Sequence, residues 1–182
     1  DDVTDYASVD ASAVQQAVDN ASPGDLLKVA GTCAGVQIHS GHTQSVYLGQ
    51  SVTLQGGYTP THWLATPNPI TYTTTLDAQT GGRVLYVPTG TTATVDGFTL
   101  TRGDADNGGG IYNAGTLTLT QSVVHDNAAS VYGGGMYNDG TSPTLTDVTF
   151  SDNSSGNYGG GMHNDGFGKE SSPTLTGVTF NN

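Results

Sequence analysis

The chain has 182 residues, enough for one domain with a genuine core. Hydrophobic residues make up 34% and charged residues 11%, and the balance is small and polar: 27 Gly, 28 Thr, 14 Ser and 11 Asn. That mixture disfavours helix bundles and suits short strands joined by tight turns. The net charge is −12, and Lys28, Arg83, Arg102 and Lys169 are the only basic residues, which argues against nucleic acid and anionic membranes as partners. No run of ~20 apolar residues provides a transmembrane segment. The chain opens on Asp1 without Met and shows no signal peptide, the expectation for a processed or trimmed product.

In chain order, the first predicted element is a helix over residues 10–21, where Val14, Ala17, Val18 and Ala21 recur at helical spacing. Asp10 or Ser12 is its expected N-cap, and Ser22, Pro23 and Gly24 stop it. A short amphipathic helix in front of a repetitive β-structure is expected to cap its open end. Residues 26–58 then form the first coils, through DLLKVAG and SVYLGQSVTLQGGY. Residues 59–81 are Pro-rich and without period, and are expected to be a protruding loop with Trp63 folded back onto the body. Cys33 is the sole cysteine, either buried in packing or awaiting a partner outside this chain.

Residues 82–182 carry the strongest signal, an internal repeat. GGGIYNAG begins at Gly108, GGGMYNDG at Gly133 and GGGMHNDG at Gly159, so the offsets are 25 and 26 residues. Between them run TLTQSVVHDN, PTLTDVTFSDN and PTLTGVTFNN, ending at Asn127, Asn153 and Asn182. Aligned, they place Leu119, Leu145 and Leu175 in one column, Ser122, Val148 and Val178 in a second, and Val124, Phe150 and Phe180 in a third. An earlier degenerate copy contributes Val95, Phe98 and Leu100. Apolar residues alternate with Thr at a period of two. Column-by-column repetition of side chains has a physical reason only if equivalent strands stack ~4.8 Å apart along an axis. The predicted fold is therefore all-β, a parallel β-solenoid. Its Leu column faces inward, its Phe column stacks offset, and Asn113, Asn138 and Asn164 form a ladder at corresponding turns. The last copy stops inside its own repeat, which predicts either a piece of a longer solenoid or end-to-end stacking of copies into a filament.

The GGGxYN blocks and the VTFSDN-type motif resemble the repeats of chlamydial polymorphic outer-membrane proteins. The string from SVTLQGGY through TVDGFTLTRGDADNGGGIYN looks closer still to large secreted β-helix proteins of environmental bacteria that carry the same repeats. The resemblance covers roughly residues 10–182. It implies a single-stranded right-handed parallel β-helix of pectin-lyase-like shape, export to the cell surface or beyond, and an adhesive, structural or filament-forming role instead of a defined reaction. These 182 residues do not include an autotransporter barrel, and Ser122 and Val124 replace larger residues in one copy.

The same shape hosts polysaccharide lyases and hydrolases, the alternative class. Glycoside hydrolysis needs carboxylates converging at ~5–9.5 Å, and the sequence patterns of such enzymes are missing. Asp104 and Asp106, following Arg102, have the alternating oxygen ligands of a Ca²⁺ loop but lack its later bidentate Glu. Asp and Asn before a run of glycines are ordinarily turn residues, and that is the favoured reading. His39 and His42 have a metal-compatible spacing without a third ligand nearby, and a solvated turn accounts for them. No resident cofactor is implied.

Two outward arrays remain. Tyr112, Tyr137 and His163 share a column behind Ile111, Met136 and Met162, either a platform for sugar rings or rings that shield one another. Tyr132 and Tyr158 carry the same ambiguity. Thr94, Thr118, Thr144 and Thr174 form one file, with Thr120, Thr146 and Thr176 beside it and Asp96 interrupting the second. Such files resemble ice-binding surfaces, and Thr is also a good outward strand residue.

Overall fold

The computed structural model describes residues 6–8, 10–166 and 171–181; Lys169 and Asn182 lie outside them. The chain winds into a parallel β-solenoid with one short helix at its N-terminal end. A complete coil runs Thr92–Asp96, Phe98–Thr101, Asp104–Asn107 and Ile111–Asn113, one strand on each of four faces, before Thr116–Thr120 starts the next. Faces one, two and four are sheets of six strands, and face three has three. All strand pairs are parallel except the hairpin of Gln37–His39 with His42–Tyr47. That hairpin turns through Ser40 and Gly41, both at positive φ, which suits the twist of a two-residue connection.

The corners explain much of the repeat. Faces one and two meet at Gly97, Gln121, Asp147 and Gly177, and faces two and three at Arg102, Asp126 and Asp152, every one left-handed with φ between 46° and 76°. Asp and Gly tolerate this region best, so they recur there. Faces three and four meet at the Gly triplets. Gly133 has φ +64°, and a Cβ on Gly134 would sit 2.1 Å from the Ser154 carbonyl oxygen of the next coil. The first glycine of a triplet is thus needed for its backbone angle, and the second for the closeness of the coil above.

Inward side chains stack in register. Val95, Leu119, Leu145 and Leu175 form one column, and Cys33, Leu76, Leu100, Val124, Phe150 and Phe180 another. The Phe150 and Phe180 rings stack with centroids 4.9 Å apart. Cys33 is a buried core residue, 6% exposed, and burial, with Asp10 adding to it, pushes its thiol pKa up. Ser122 faces this apolar interior because its hydroxyl is consumed locally, donating to the Thr120 carbonyl and accepting from the Phe98 N–H.

The helix spans Ser12–Asn20 and buries Val14 and Val18 against the core, covering the first coil. Ala11 occupies the N-cap position without a side-chain hydrogen bond. Asp10, one residue earlier, accepts from the Ser12 N–H at 2.9 Å and does the capping from there.

One boundary needs correction. The expected loop over 59–81 contains the strand Thr74–Asp77, a full member of face two with Leu76 wholly buried. TTTLD shows no alternation of polar with apolar residues because Thr74 is itself buried; its hydroxyl donates to the Val29 carbonyl and accepts from the Gly57 N–H. The true excursion is the segment between Tyr58 and Thr74. Trp63 does lean back, 6.0 Å from the Tyr58 ring, with its carbonyl accepting from Lys28 Nζ, while Leu64 is 99% exposed.

Candidate functional site

Strand alternation on face four places an apolar residue inward and an aromatic residue next to it outward, coil after coil. Tyr112, Tyr137 and His163 are paired in register, as their spacing predicts. The column is longer than the repeat implies, because Tyr47 and Tyr86 precede them. Successive centroids lie 5.2 Å (Tyr47–Tyr86), 4.9 Å (Tyr86–Tyr112), 5.2 Å (Tyr112–Tyr137) and 5.7 Å (Tyr137–His163) apart. His42 stacks on Tyr86 at one end, and Tyr132 and Tyr158 flank His163 at the other. GRVLYV carries the signal for Tyr86, since it aligns residue for residue with GGGIYN, Arg83 and Val84 standing where Gly109 and Gly110 do.

Ring faces are therefore covered by neighbouring rings, and edges and hydroxyls point outward. Tyr137 is only 6% exposed. A sugar ring stacking flat on these faces has no room between coils, an arrangement that matches the mutual-shielding alternative. Its hydroxyls are committed as well: Tyr112 donates to Asp139 at 2.9 Å and Tyr137 to Asp165 at 2.6 Å. Burial and the adjacent carboxylates raise both phenol pKa values far above the ordinary tyrosine range.

Arg83 lies over this column, 5.3 Å from the Tyr86 centroid and 5.0 Å from that of Tyr112. It donates from Nε to Gly108 O at 2.9 Å and from Nη2 to Asn107 O at 2.8 Å. These two carbonyls belong to the corner where the next coil turns onto face four. Burial lowers the Arg83 pKa, and the nearby phenols and Asp106 oppose that shift. Sequence reading missed Arg83 because its partners are backbone atoms of another coil.

The Asn ladder is present. Asn113 Nδ2 donates to Asn138 Oδ1 at 3.0 Å, and Asn138 Nδ2 to Asn164 Oδ1 at 2.7 Å. It begins at Asn113 because Val87 occupies the position beneath, which leaves Asn113 Oδ1 buried without a partner. A second ladder runs through Asn127 and Asn153.

Asp104 and Asp106 project from the same side of the strand Asp104–Asn107, both exposed. Asp106 accepts from Ser130 at 2.9 Å. Among the described residues, no group of three or more His, Cys, Asp or Glu side chains comes together to hold a metal ion. His39 and His42 close the hairpin: His39 bonds Asp19 at 3.0 Å and stacks on Tyr47, and His42 stacks outward on Tyr86. An open cleft of about 410 Å³ borders this end, lined in part by Asp19, His39, Tyr47 and Thr91.

The outward side of face one carries threonine. Thr53, Thr94, Thr118, Thr144 and Thr174 are partners in register, and Asp96, Thr120, Thr146 and Thr176 run beside them. Asp96 accepts from Gln55 at 3.2 Å and from Thr120 at 2.7 Å.

Fold and surface together define a self-stacking parallel β-solenoid whose outward polar groups are arranged in files. Compared with family models, curated proteins and solved structures, the chain gives no match in any of the three. No helix among the described residues is long and apolar enough to cross a membrane.

Proposed function

We propose that the chain is a non-catalytic β-helix module of an exported protein, displayed at the cell surface or released, with an adhesive, structural or filament-forming role. One observation carries the reading: five acidic side chains are engaged in tying coil to coil. Arg102 bonds Asp77, Thr120 bonds Asp96, Ser130 bonds Asp106, Tyr112 bonds Asp139 and Tyr137 bonds Asp165, each across a sequence separation of 24–28 residues. Hydrolytic or eliminative chemistry on polysaccharides needs carboxylates or a base converging on a substrate, free to titrate. Here the carboxylates are spread along the solenoid axis, as suits an object whose task is to persist as an extended surface. The resemblance to polymorphic outer-membrane protein repeats supports the same location and role.

The test uses two measurements on the purified chain. Incubation with a panel of acidic and neutral polysaccharides is expected to release neither reducing ends nor unsaturated uronides. Beads coated with the protein are expected to be retained on cell or polysaccharide surfaces above beads coated with an unrelated acidic protein. Release of either product overturns the non-catalytic reading, and equal retention of the two bead types overturns the adhesive one.

A further inference from the structure

On face four and at several corners, polar groups find partners within the protein: Tyr with Asp, buried Asn with Asn, Asp77 with Arg102, His125 with Asp126. Face two carries a single outward threonine file, Thr75, Thr99, Thr149 and Thr179, broken by Val123. Face one differs. From the third coil onward its outward side is a two-dimensional array of threonines, Thr92 and Thr94, then Thr116, Thr118 and Thr120, then Thr144 and Thr146, then Thr174 and Thr176. Among these, Thr120 alone has its hydroxyl engaged within the protein, with Asp96. The charged members of the face, Lys28 and Asp96, sit toward its N-terminal end, in the file that becomes Thr120, Thr146 and Thr176. From Thr116 onward the outward surface presents only threonine hydroxyl and methyl groups.

Backbone stacking dictates the spacing of that array. Neighbours in a file are ~4.8 Å apart and neighbours along a strand ~6.6 Å, set by parallel strand geometry. Coil-on-coil stacking with repeated side-chain ladders favours a flat sheet over a twisted one. A β-branched side chain has a restricted χ1, so each hydroxyl and each methyl repeats in the same orientation with little entropy to lose. A flat surface of this kind does not enclose a small ligand, which needs concavity. It does match a partner that is itself flat, uncharged and periodic. The two repeats are comparable with the oxygen–oxygen repeats within planes of hexagonal ice. Hydroxyls can take positions in such a plane while the methyls between them order the intervening water.

We propose that the threonine array of face one is an ice-binding surface, with the ordered water layer of ice as its ligand. This goes beyond the adhesive reading and does not rest on it, since either property can fail alone. The experiment measures freezing hysteresis and ice-crystal shaping with the purified full chain at micromolar concentrations. Three variants accompany it: Thr144→Tyr and Thr118→Lys on face one, and Thr149→Tyr on face two. The wild type and Thr149→Tyr are expected to shape ice and depress its growth temperature. Thr144→Tyr is expected to lose both effects while its melting curve by circular dichroism stays with that of the wild type. Thr118→Lys serves as the second face-one variant should Thr144→Tyr not fold, with the same loss expected. Absence of hysteresis and shaping in the wild type overturns the proposal, as does their retention in a folded face-one variant.

Discussion

Asn127 donates its Nδ2 hydrogen to Asn153 Oδ1 at 3.0 Å, joining the same corner of two successive coils inside the protein. Both amides are buried. Asn127 Oδ1 also accepts from the Gly103 N–H at 2.8 Å, and its Nδ2 donates to the Leu100 carbonyl at 3.1 Å. One side chain thus satisfies two backbone groups at this corner, the Gly103 N–H and the Leu100 carbonyl, while Asn153 Oδ1 also accepts from the Asn127 N–H. Replacing it with Ala leaves those groups buried and unpaired, at a cost of about 3 kcal/mol by the usual penalty for orphaned buried donors and acceptors. Urea unfolding of Asn127→Ala against wild type measures it. A loss no larger than that of an exposed surface variant contradicts this account of the corner.

The glycine triplets permit a sharper steric test. A Cβ at Gly134 falls 2.1 Å from one carbonyl oxygen and 2.7 Å from the Gly160 carbonyl oxygen. Both are backbone atoms of the neighbouring coil, so neither can swing aside. Gly134→Ala is expected to cost roughly 3 kcal/mol or more, the upper end of overpacking penalties, and to lower soluble yield. Gly49→Ala meets only the Tyr47 ring, at 3.2 Å and beyond, and is expected to cost far less in the same thermal melt.

The leucine column supplies a gradient along the axis. Leu145 is fully buried between Leu119 and Leu175, whereas Leu175 is 44% exposed on the last described coil. Leu145→Ala is expected to cost about 3–4 kcal/mol, within the range for core Leu truncation, and Leu175→Ala about 1 kcal/mol. Paired denaturation curves decide it; equal losses are incompatible with the observed burial.

The tyrosine column predicts a pH dependence at the alkaline end. Tyr112 and Tyr137 have folded pKa values raised by burial and by hydrogen bonds to Asp139 and Asp165. In the unfolded chain they titrate near the ordinary tyrosine value of about 10. Below that value the stabilisation is fully present, and it is lost as pH rises toward the folded pKa, because only the unfolded state has released its protons. Melting temperature is therefore expected to fall above pH ~10, with tyrosinate absorbance for part of the chain appearing together with unfolding. Asp139→Asn removes one acceptor charge and is expected to let Tyr112 ionise at lower pH.

At the acid end the sign reverses. Burial by itself raises Asp77, but its bonds with Arg102 and the Gln79 N–H outweigh that and hold its carboxyl below the usual value. Its contribution is present above the unfolded aspartate pKa and is lost as pH falls through the folded one. Arg102→Gln is expected to destabilise the protein at neutral pH and to make little difference once Asp77 is protonated. Melting curves of the two proteins across the acid range check the convergence.

Much of the fold was legible in the sequence for one reason. In a solenoid, tertiary contacts join equivalent positions of successive repeats, so a long-range contact is also a sequence period. Leu119, Leu145 and Leu175, the Phe pair and the Asn113–Asn138–Asn164 ladder could be placed without coordinates. Where the period breaks, legibility ends. The strand Thr74–Asp77 was hidden because its buried Thr74 breaks the polar–apolar code. Tyr47 joined the aromatic column through a hairpin that no other coil has among the described residues.

The sequence by itself determined the winding, the columns and which residue types turn each corner, because repeated backbone geometry demands repeated chemistry. Tertiary structure alone decided what each outward file has left to offer. Stacking closes the ring faces of Tyr112 and Tyr137 and commits their hydroxyls to acids that follow on the next coils, while on face one it leaves the hydroxyls of Thr118, Thr144 and Thr174 without protein partners. A side chain's period is written in the chain; whether its polar atoms are already satisfied depends on the coil that lands above it.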